Sequence, residues 1–202
     1  NPASPPCRRV LATIFHLGLE VELVDVQFHS GQLESPDYRR MNPNGAVPLL
    51  DDGGFYLWES TAIMTYLCDK QGATELYPQH LQKRADVNRW LAWSNAQLGP
   101  VTGTLVWENL IKGWLKIGGP DPKEVAEAEK DFHRCAKVLD QELLGRGFLC
   151  GGRLTLADFA LGANMMHAEM GRFPLEKYRN IRDWLKLLDG VDAWKKSAPT
   201  MS

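Results

Sequence analysis

The spacing of apolar and polar positions divides this chain near residue 75. Ahead of that point the period changes repeatedly. From Cys7 to Leu17 the apolar residues Val10, Leu11, Ile14, Phe15 and Leu17 recur at helical spacing, and Gly18 stops them. Val21 to Phe28 alternates and is rich in valine, which predicts a strand. Ser35-Pro36 opens a short helical turn that Asn42-Pro43-Asn44-Gly45 closes. Val47 to Leu50 and Phe55 to Trp58 predict two strands joined by Asp51-Asp52-Gly53-Gly54, a hairpin signal. Glu59 to Lys70 then predicts a helix with Ala62, Ile63, Tyr66 and Leu67 on one face.

Beyond residue 80 the strand signals vanish. Leu81 to Ile117 reads as helix with a break at Gly99-Pro100, because proline lacks the backbone donor and crowds the preceding turn. Lys123 to Leu144, Thr155 to Gly171, Leu175 to Leu188 and Val191 to Ala198 are further helices. At Leu154-Thr155-Leu156-Ala157-Asp158-Phe159, Thr155 and Asp158 have the spacing of a capping box, and Leu154 that of a staple onto Phe159. The expected organisation is therefore a small α/β unit over residues 1–73 joined to an all-helical unit over residues 80–202.

Composition narrows the function classes. The 202 residues are 44% apolar and 24% charged, as in ordered globular proteins, and the net charge of -2 leaves no basic surplus for nucleic acid or an anionic membrane. Apolar runs such as Ala46 to Leu50 fall far short of the ~20 residues of a membrane span. Four scattered cysteines without a CxxC pair predict reduced thiols in the cytoplasm, and five scattered histidines give no metal-ligand spacing.

Three short segments carry candidate chemistry. In Ser4-Pro5-Pro6-Cys7, the second proline disfavours helix at Pro5, so the helix is expected to begin at Pro6. Ser4 then stands at the positive end of that helix, either as a cap or as a hydroxyl facing an anion. Cys7 is either a thiol activated by the helix start or a packed small residue. Val47-Pro48 is either a plain edge-strand proline or a cis peptide that turns the Val47 backbone outward to pair with an extended peptide. Glu59 and Ser60, at a strand-to-helix junction, are either a cap or a holder for an α-amino-acid head group. In the second case Glu59 meets the ammonium, and Ser60 with nearby amides meets the carboxylate.

The order and spacing of Ser-x-x-Cys-Arg, Asn-Pro-x-Gly-x-Val-Pro and Glu-Ser-x-Ala-Ile-x-x-Tyr-Leu resemble the cytosolic glutathione transferases. The Ser-Pro-Pro-Cys-Arg stretch looks most like their serine-type theta and phi classes. The resemblance extends through Leu-Thr-Leu-Ala-Asp-Phe and so covers essentially the whole chain. It implies a thioredoxin-like N-terminal domain, an all-α C-terminal domain and a homodimer. Because a thioredoxin-like sheet has a strand just before Ser4, it also implies residues upstream of Asn1. The implied activity is detoxifying conjugation of glutathione to small hydrophobic electrophiles, without a metal. By position the resemblance makes Ser4, less so Cys7, the catalytic residue, its hydroxyl stabilising the glutathione thiolate. Lowering a thiol by ~2 units from its usual ~8.5 requires ~2.7 kcal/mol, within reach of a charge-assisted hydrogen bond and a helix dipole. Val47 and Pro48 fall on the cysteinyl contact, and Glu59 and Ser60 on the γ-glutamyl contact. The electrophile pocket is expected from Trp107, Asn109, Leu110 and Trp114, although an aromatic run at this spacing also suits core or dimer packing. Alternatives on the same fold are dehalogenation, ether cleavage, disulfide reduction, or a non-catalytic binding role.

Two positions depart from the family pattern. Leu33, followed by Glu34, stands where a His or Lys is usual, and Ala46 stands where a Lys or Gln is usual. Those residues meet the glycyl carboxylate of glutathione, and Arg39 or His29 is left to substitute. Glutathione is therefore expected to bind more weakly than is normal for the family; a micromolar or tighter affinity by isothermal titration overturns that expectation.

Overall fold

The computed structural model describes residues 1–26 and 30–199. The N-terminal unit contains α1 (Pro5–Leu17), α2 (Pro36–Met41), β1 (Leu49–Asp52), β2 (Phe55–Trp58) and α3 (Ser60–Gln71). A long helical run follows: α4 (Leu81–Trp93), a π-helical stretch Ser94–Leu98, α5 (Gly99–Val106), a second π-helical stretch Trp107–Ile111, and α6 (Lys112–Trp114). The chain ends in α7 (Pro122–Glu142), α8 (Leu156–Met165), α9 (Arg179–Asp189) and α10 (Asp192–Lys196). The small α/β unit and the all-helical remainder match the expected architecture.

Local signals account for most of the boundaries. Gly18 ends α1 in the left-handed conformation at φ 63°, and its N–H bonds back to Ile14 and Phe15. The hairpin pairs Leu49 with Trp58 and Asp52 with Phe55, and Asp51 accepts the Gly54 N–H at 2.8 Å across the turn. The first paired strand starts at Leu49 rather than Val47, since Pro48 has no N–H to give a ladder. Tyr66 then donates to Asp52 at 2.5 Å, tying the hairpin to α3.

Elsewhere tertiary structure overrides the local pattern. Helix α1 starts at Pro5, one residue early, with both prolines in its first turn. Residues 21–26 form no strand, and 27 and 28 lie outside the described residues. Leu23 and Val24 stand exposed, because the alternating pattern finds no neighbouring ladder among the described residues. Gly99-Pro100 does not break the long run: the Gly99 N–H reaches Ser94 O, five residues back, and this wider turn makes room for the proline ring. Helix α8 stops at Met165, where the chain folds into turns closed by Gly171 N–H to His167 O at 2.7 Å. Helix α9 begins only at Arg179, after a turn in which the Tyr178 N–H bonds to Leu175 O.

The core is continuous across the two units. Ile63 and Met64 of α3, Ala12 and Ile14 of α1, and Leu98, Phe132, Phe159 and Trp184 of the helical unit belong to one buried cluster. Helix α1 packs against α3 on one flank and against α8 and α10 on the other. Each fully buried Leu, Ile, Met or Phe among them contributes ~1.5–3 kcal/mol.

Asp158 locks the helical unit. Its carboxylate accepts from Thr155 N (2.9 Å), Thr155 Oγ1 (3.1 Å), Leu149 N (3.0 Å) and Trp184 Nε1 (3.0 Å). Burial nevertheless pushes this carboxyl up to about 6, and the four donors only partly oppose it. The folded pKa lies above the unfolded value, so the contribution of this group to stability is full below about pH 4 and is lost as pH rises through about 6. Denaturant unfolding of wild type against Asp158→Asn should show the stability difference falling by about 3 kcal/mol across that window; a difference that grows with pH contradicts it.

Candidate functional site

A cleft of about 890 Å³ runs along the junction between the α/β unit and the long helical run. One wall is the start of α1, with Ser4, Pro5, Pro6 and Arg9. A second is the loop through Asn42, Asn44, Ala46, Val47 and Pro48, and a third is Glu59-Ser60. The far wall comes from the two π-helical stretches and the helices they join, with Asn164 and His167 at the junction.

Ser4 is the N-cap residue of α1 by backbone conformation (φ -83°, ψ 122°), yet its side chain caps nothing. Its hydroxyl makes no hydrogen bond among the described residues, which removes the capping alternative left open by the sequence. Pro5 and Pro6 contribute no N–H, so the positive end of α1 is presented through fewer amides than usual. Behind Ser4, His167 Nε2 holds the Ala3 carbonyl at 2.9 Å, while His167 Nδ1 is buried without a partner among the described residues.

The loop before the hairpin is fixed from beneath. Buried Asn42 donates to Ala46 O at 2.7 Å and accepts from Asn44 N at 3.0 Å, and the Tyr38 hydroxyl donates to the same Ala46 carbonyl at 2.8 Å. The Val47–Pro48 peptide is cis. Arg39 lies on the outer side of the loop, donating to Pro43 O at 2.7 Å and covering Gly45, where a Cβ would come within 2.6 Å of the guanidinium carbon. That close approach, with a φ of 59°, makes glycine the fitting residue there.

Glu59 holds a φ of 70° and ψ of 109°, in the region that favours glycine, and its side chain also caps nothing. Ser60, mostly buried, opens α3; its hydroxyl makes no bond among the described residues, and the Ile63 N–H is the first to bond back into the helix, to Glu59 O at 2.9 Å. The N–H groups of residues 60–62 therefore stand unused by the helix at the edge of the cleft.

On the far wall the π-helical turns set which residues face inward. Trp107, Ile111 and Trp114 line the cleft, four and three residues apart. Asn109 and Leu110 do not: the widened turn rotates them away, and Asn109 donates to Gly171 O at 3.0 Å. At Gly99 a Cβ would lie 2.9 Å from Ser94 O, so this turn closes only around a glycine. Cys7 is buried in the core, Leu33 is buried in a 3-10 turn, and neither lines the cleft. His29 lies outside the described residues. Of the sequence-predicted residues, then, the structure brings together Ser4, Ala46, Val47, Pro48, Glu59, Ser60, Trp107 and Trp114. It does not bring Cys7, Leu33, Arg39, Asn109 or Leu110 to the cleft.

The sequence model of the glutathione S-transferase N-terminal domain matches residues 1–69, and that of the C-terminal domain matches residues 103–188. Among solved structures, a delta-class glutathione transferase of Nilaparvata lugens is 32% identical, with a TM-score of 0.86 over 98% of this chain and 90% of that one. This chain belongs to the glutathione S-transferase family. Glutathione transferase F2 of Populus trichocarpa is 25% identical, with a TM-score of 0.90 over 97% and 94% of the two chains. A glutathione S-transferase-I bound with lactoylglutathione is 27% identical, with a TM-score of 0.87 over 96% and 94%. The family is therefore the cytosolic transferases, the chain is a glutathione S-transferase enzyme, and its thiol substrate is glutathione.

Several cleft residues of this transferase escaped the sequence reading: Arg9, Asn42, Asn95, Asn164 and His167. The available signal was the pair Arg8-Arg9 inside the apolar run of α1, where charged side chains need a special partner. The strain at Glu59 gives a direct check. Glu59→Gly should be about 1 kcal/mol more stable than Glu59→Ala in urea denaturation, since both lose the carboxylate and only glycine relieves backbone strain of ~1–3 kcal/mol, less its cost in chain entropy. A Glu59→Gly variant no more stable than Glu59→Ala excludes strain at this residue.

Proposed function

We propose that this transferase conjugates glutathione to small hydrophobic electrophiles, with the Ser4 hydroxyl donating a hydrogen bond to the glutathione sulfur. The observation that carries this reading is the idle Ser4 hydroxyl in a cleft it shares with Val47, Glu59 and Ser60. The fit to a zwitterionic peptide is supported by donors that the protein leaves unused: the Ser4 and Ser60 hydroxyls and the amides opening α3. Glutathione, when bound, supplies the sulfur nucleophile.

In this reading Ser4 keeps its own proton at Oγ and lowers the cost of negative charge beside it, helped by the α1 dipole. The Val47 backbone pairs with the cysteinyl residue, Ser60 receives the α-carboxylate and Glu59 the ammonium. Val106, Ile111 and the exposed Trp107 and Trp114 offer an apolar, aromatic mouth to the electrophile. Buried Cys7, outside the cleft, argues against dithiol chemistry. No helix among the described residues is long and apolar enough to cross a membrane; a cytoplasmic location is proposed from the family alone. Exposed Phe55, Tyr56 and Trp58 on the hairpin suit a homodimer contact.

Conjugation of an aryl halide, wild type beside Ser4→Ala, tests the proposal. The bound-thiol pKa should rise by about 1–2 units and the rate near neutral pH should fall about tenfold to a hundredfold. Because Ser4 caps nothing, the variant should keep its stability to within about 0.5 kcal/mol. Unchanged activity with an unchanged thiol pKa removes Ser4 from the mechanism. A wild type that neither binds glutathione nor conjugates it overturns the whole reading.

A further inference from the structure

Arg9 is the least expected charge in the molecule. It follows Ser4 by one and a half turns of α1 and lines the cleft, yet it is only 3% exposed. Its guanidinium is held by two neutral carboxamides, Nη1 donating to Asn95 Oδ1 at 3.0 Å and Nη2 to Asn164 Oδ1 at 2.7 Å. Nε is buried with no partner among the described residues, and no carboxylate among them lies within ion-pair distance. Burial lowers the pKa to about 10, with the field of Glu59 opposing, so the group remains a cation near neutral pH. A guanidinium has five N–H donors, and among the described residues only two of these hydrogen bonds are made. A buried cation paired with nothing but amides is unfavourable, and an anion entering the cleft relieves it.

Position says which anion. Asn95, which holds Nη1, also donates to Thr61 Oγ1 at 3.3 Å, next to Ser60, and among the described residues Glu59 is the acidic group whose field reaches Arg9. Arg9 is thus linked through Asn95 and the Glu59 field to the Glu59-Ser60 side of the cleft. We propose that Arg9 is the cation of the head-group subsite, binding the α-carboxylate of the γ-glutamyl residue while Glu59 takes the ammonium. This rests on the glutathione reading of the cleft. The guanidinium is oriented from the helical unit: Asn164 is itself fixed by donating to Ser94 O at 3.1 Å and Ser94 Oγ at 2.8 Å. The subsite is therefore completed across the junction of the two units, with one opposite charge for each charge of an amino-acid head group. Ser60 and the α3 amides alone would supply donors but no full charge.

Deleting the ligand's carboxylate and the protein's cation in one cycle tests this. Glutathione and 4-aminobutyryl-cysteinyl-glycine, which lacks only the α-carboxylate, would be titrated calorimetrically into wild type, Arg9→Met and Arg9→Lys. Arg9→Met should weaken glutathione about tenfold to a hundredfold but leave the truncated peptide within about twofold of wild type. Arg9→Lys should recover part of the loss, and the bound-thiol pKa should not move. Equal losses for the two peptides, or a raised thiol pKa, would place Arg9 elsewhere and overturn the proposal, as would a glutathione affinity unchanged in Arg9→Met. If circular dichroism shows Arg9→Met unfolded, Arg9→Lys carries the test: a smaller loss confined to glutathione supports the proposal, and a loss common to both peptides overturns it. Wild type binding neither peptide overturns the glutathione reading itself, a result distinct from the others.

Discussion

Helix α1 is buried on both flanks, and that burial takes two adjacent arginines out of water. It packs on α3, on α8 and on α10, and positions 8 and 9 are both buried. The Arg8 guanidinium lies 3.7 Å from the ring centroid of Trp194, and Arg9 lies between Asn95 and Asn164. Desolvating a guanidinium costs several kcal/mol unless its neighbours are well placed, so these contacts restrict where α8, α10 and the long helical run sit relative to α1. Ser4 sits at the head of the same helix. The cleft inherits its geometry from how those two cations are accommodated.

The π-helical stretch at Ser94–Leu98 belongs to the same arrangement. Ser94 is fully buried, and its carbonyl and hydroxyl both receive the Asn164 carboxamide that orients Arg9. The same carbonyl takes the Gly99 N–H across the widened turn, which only a residue without a Cβ permits. A regular α-turn here would send Ser94 O to residue 98 and meet Pro100 with its ring against the turn before it. The local irregularity thus reconciles a proline in the run with a buried polar contact to α8.

Element types were legible because their causes are local. Periodicity, Gly18, Ser35-Pro36 and Gly53-Gly54 act within a few residues, and each marks an observed boundary or turn. The larger misreadings are non-local. Residues 21–26 alternate as a strand does but lack a ladder partner among the described residues, and α8 ends ahead of turns in which the His167 side chain meets Ala3 O and Gly171 O accepts from Asn109. The site divides in the same way. Ser4, Val47, Glu59 and Ser60 announce themselves through turn and cap chemistry. Arg9 meets Asn95 and Asn164 from 86 and 155 positions away, and no pattern in a single sequence encodes that meeting.

The sharpest contrast lies among the helix starts. Helices α1, α2 and α7 all begin with a cap-forming residue followed by proline: Ser4-Pro5, Ser35-Pro36 and Asp121-Pro122. Ser35 accepts the Tyr38 N–H at 3.2 Å, three residues on, and Asp121 accepts the Lys123 N–H at 2.9 Å. Ser4 has the equivalent amide three residues on, at Cys7, and does not take it. Glu59 likewise caps nothing at α3 and holds an unfavourable backbone angle besides. Neither α2 nor α7 sends its capping residue into the cleft, whereas α1 and α3 do. Among these three Ser/Asp-Pro starts, the chain forgoes about 1 kcal/mol of capping at the one whose cap residue lines the cleft, and keeps it at the two whose cap residues do not. Composition does not explain the difference at α1, because a serine that caps α2 is left idle there.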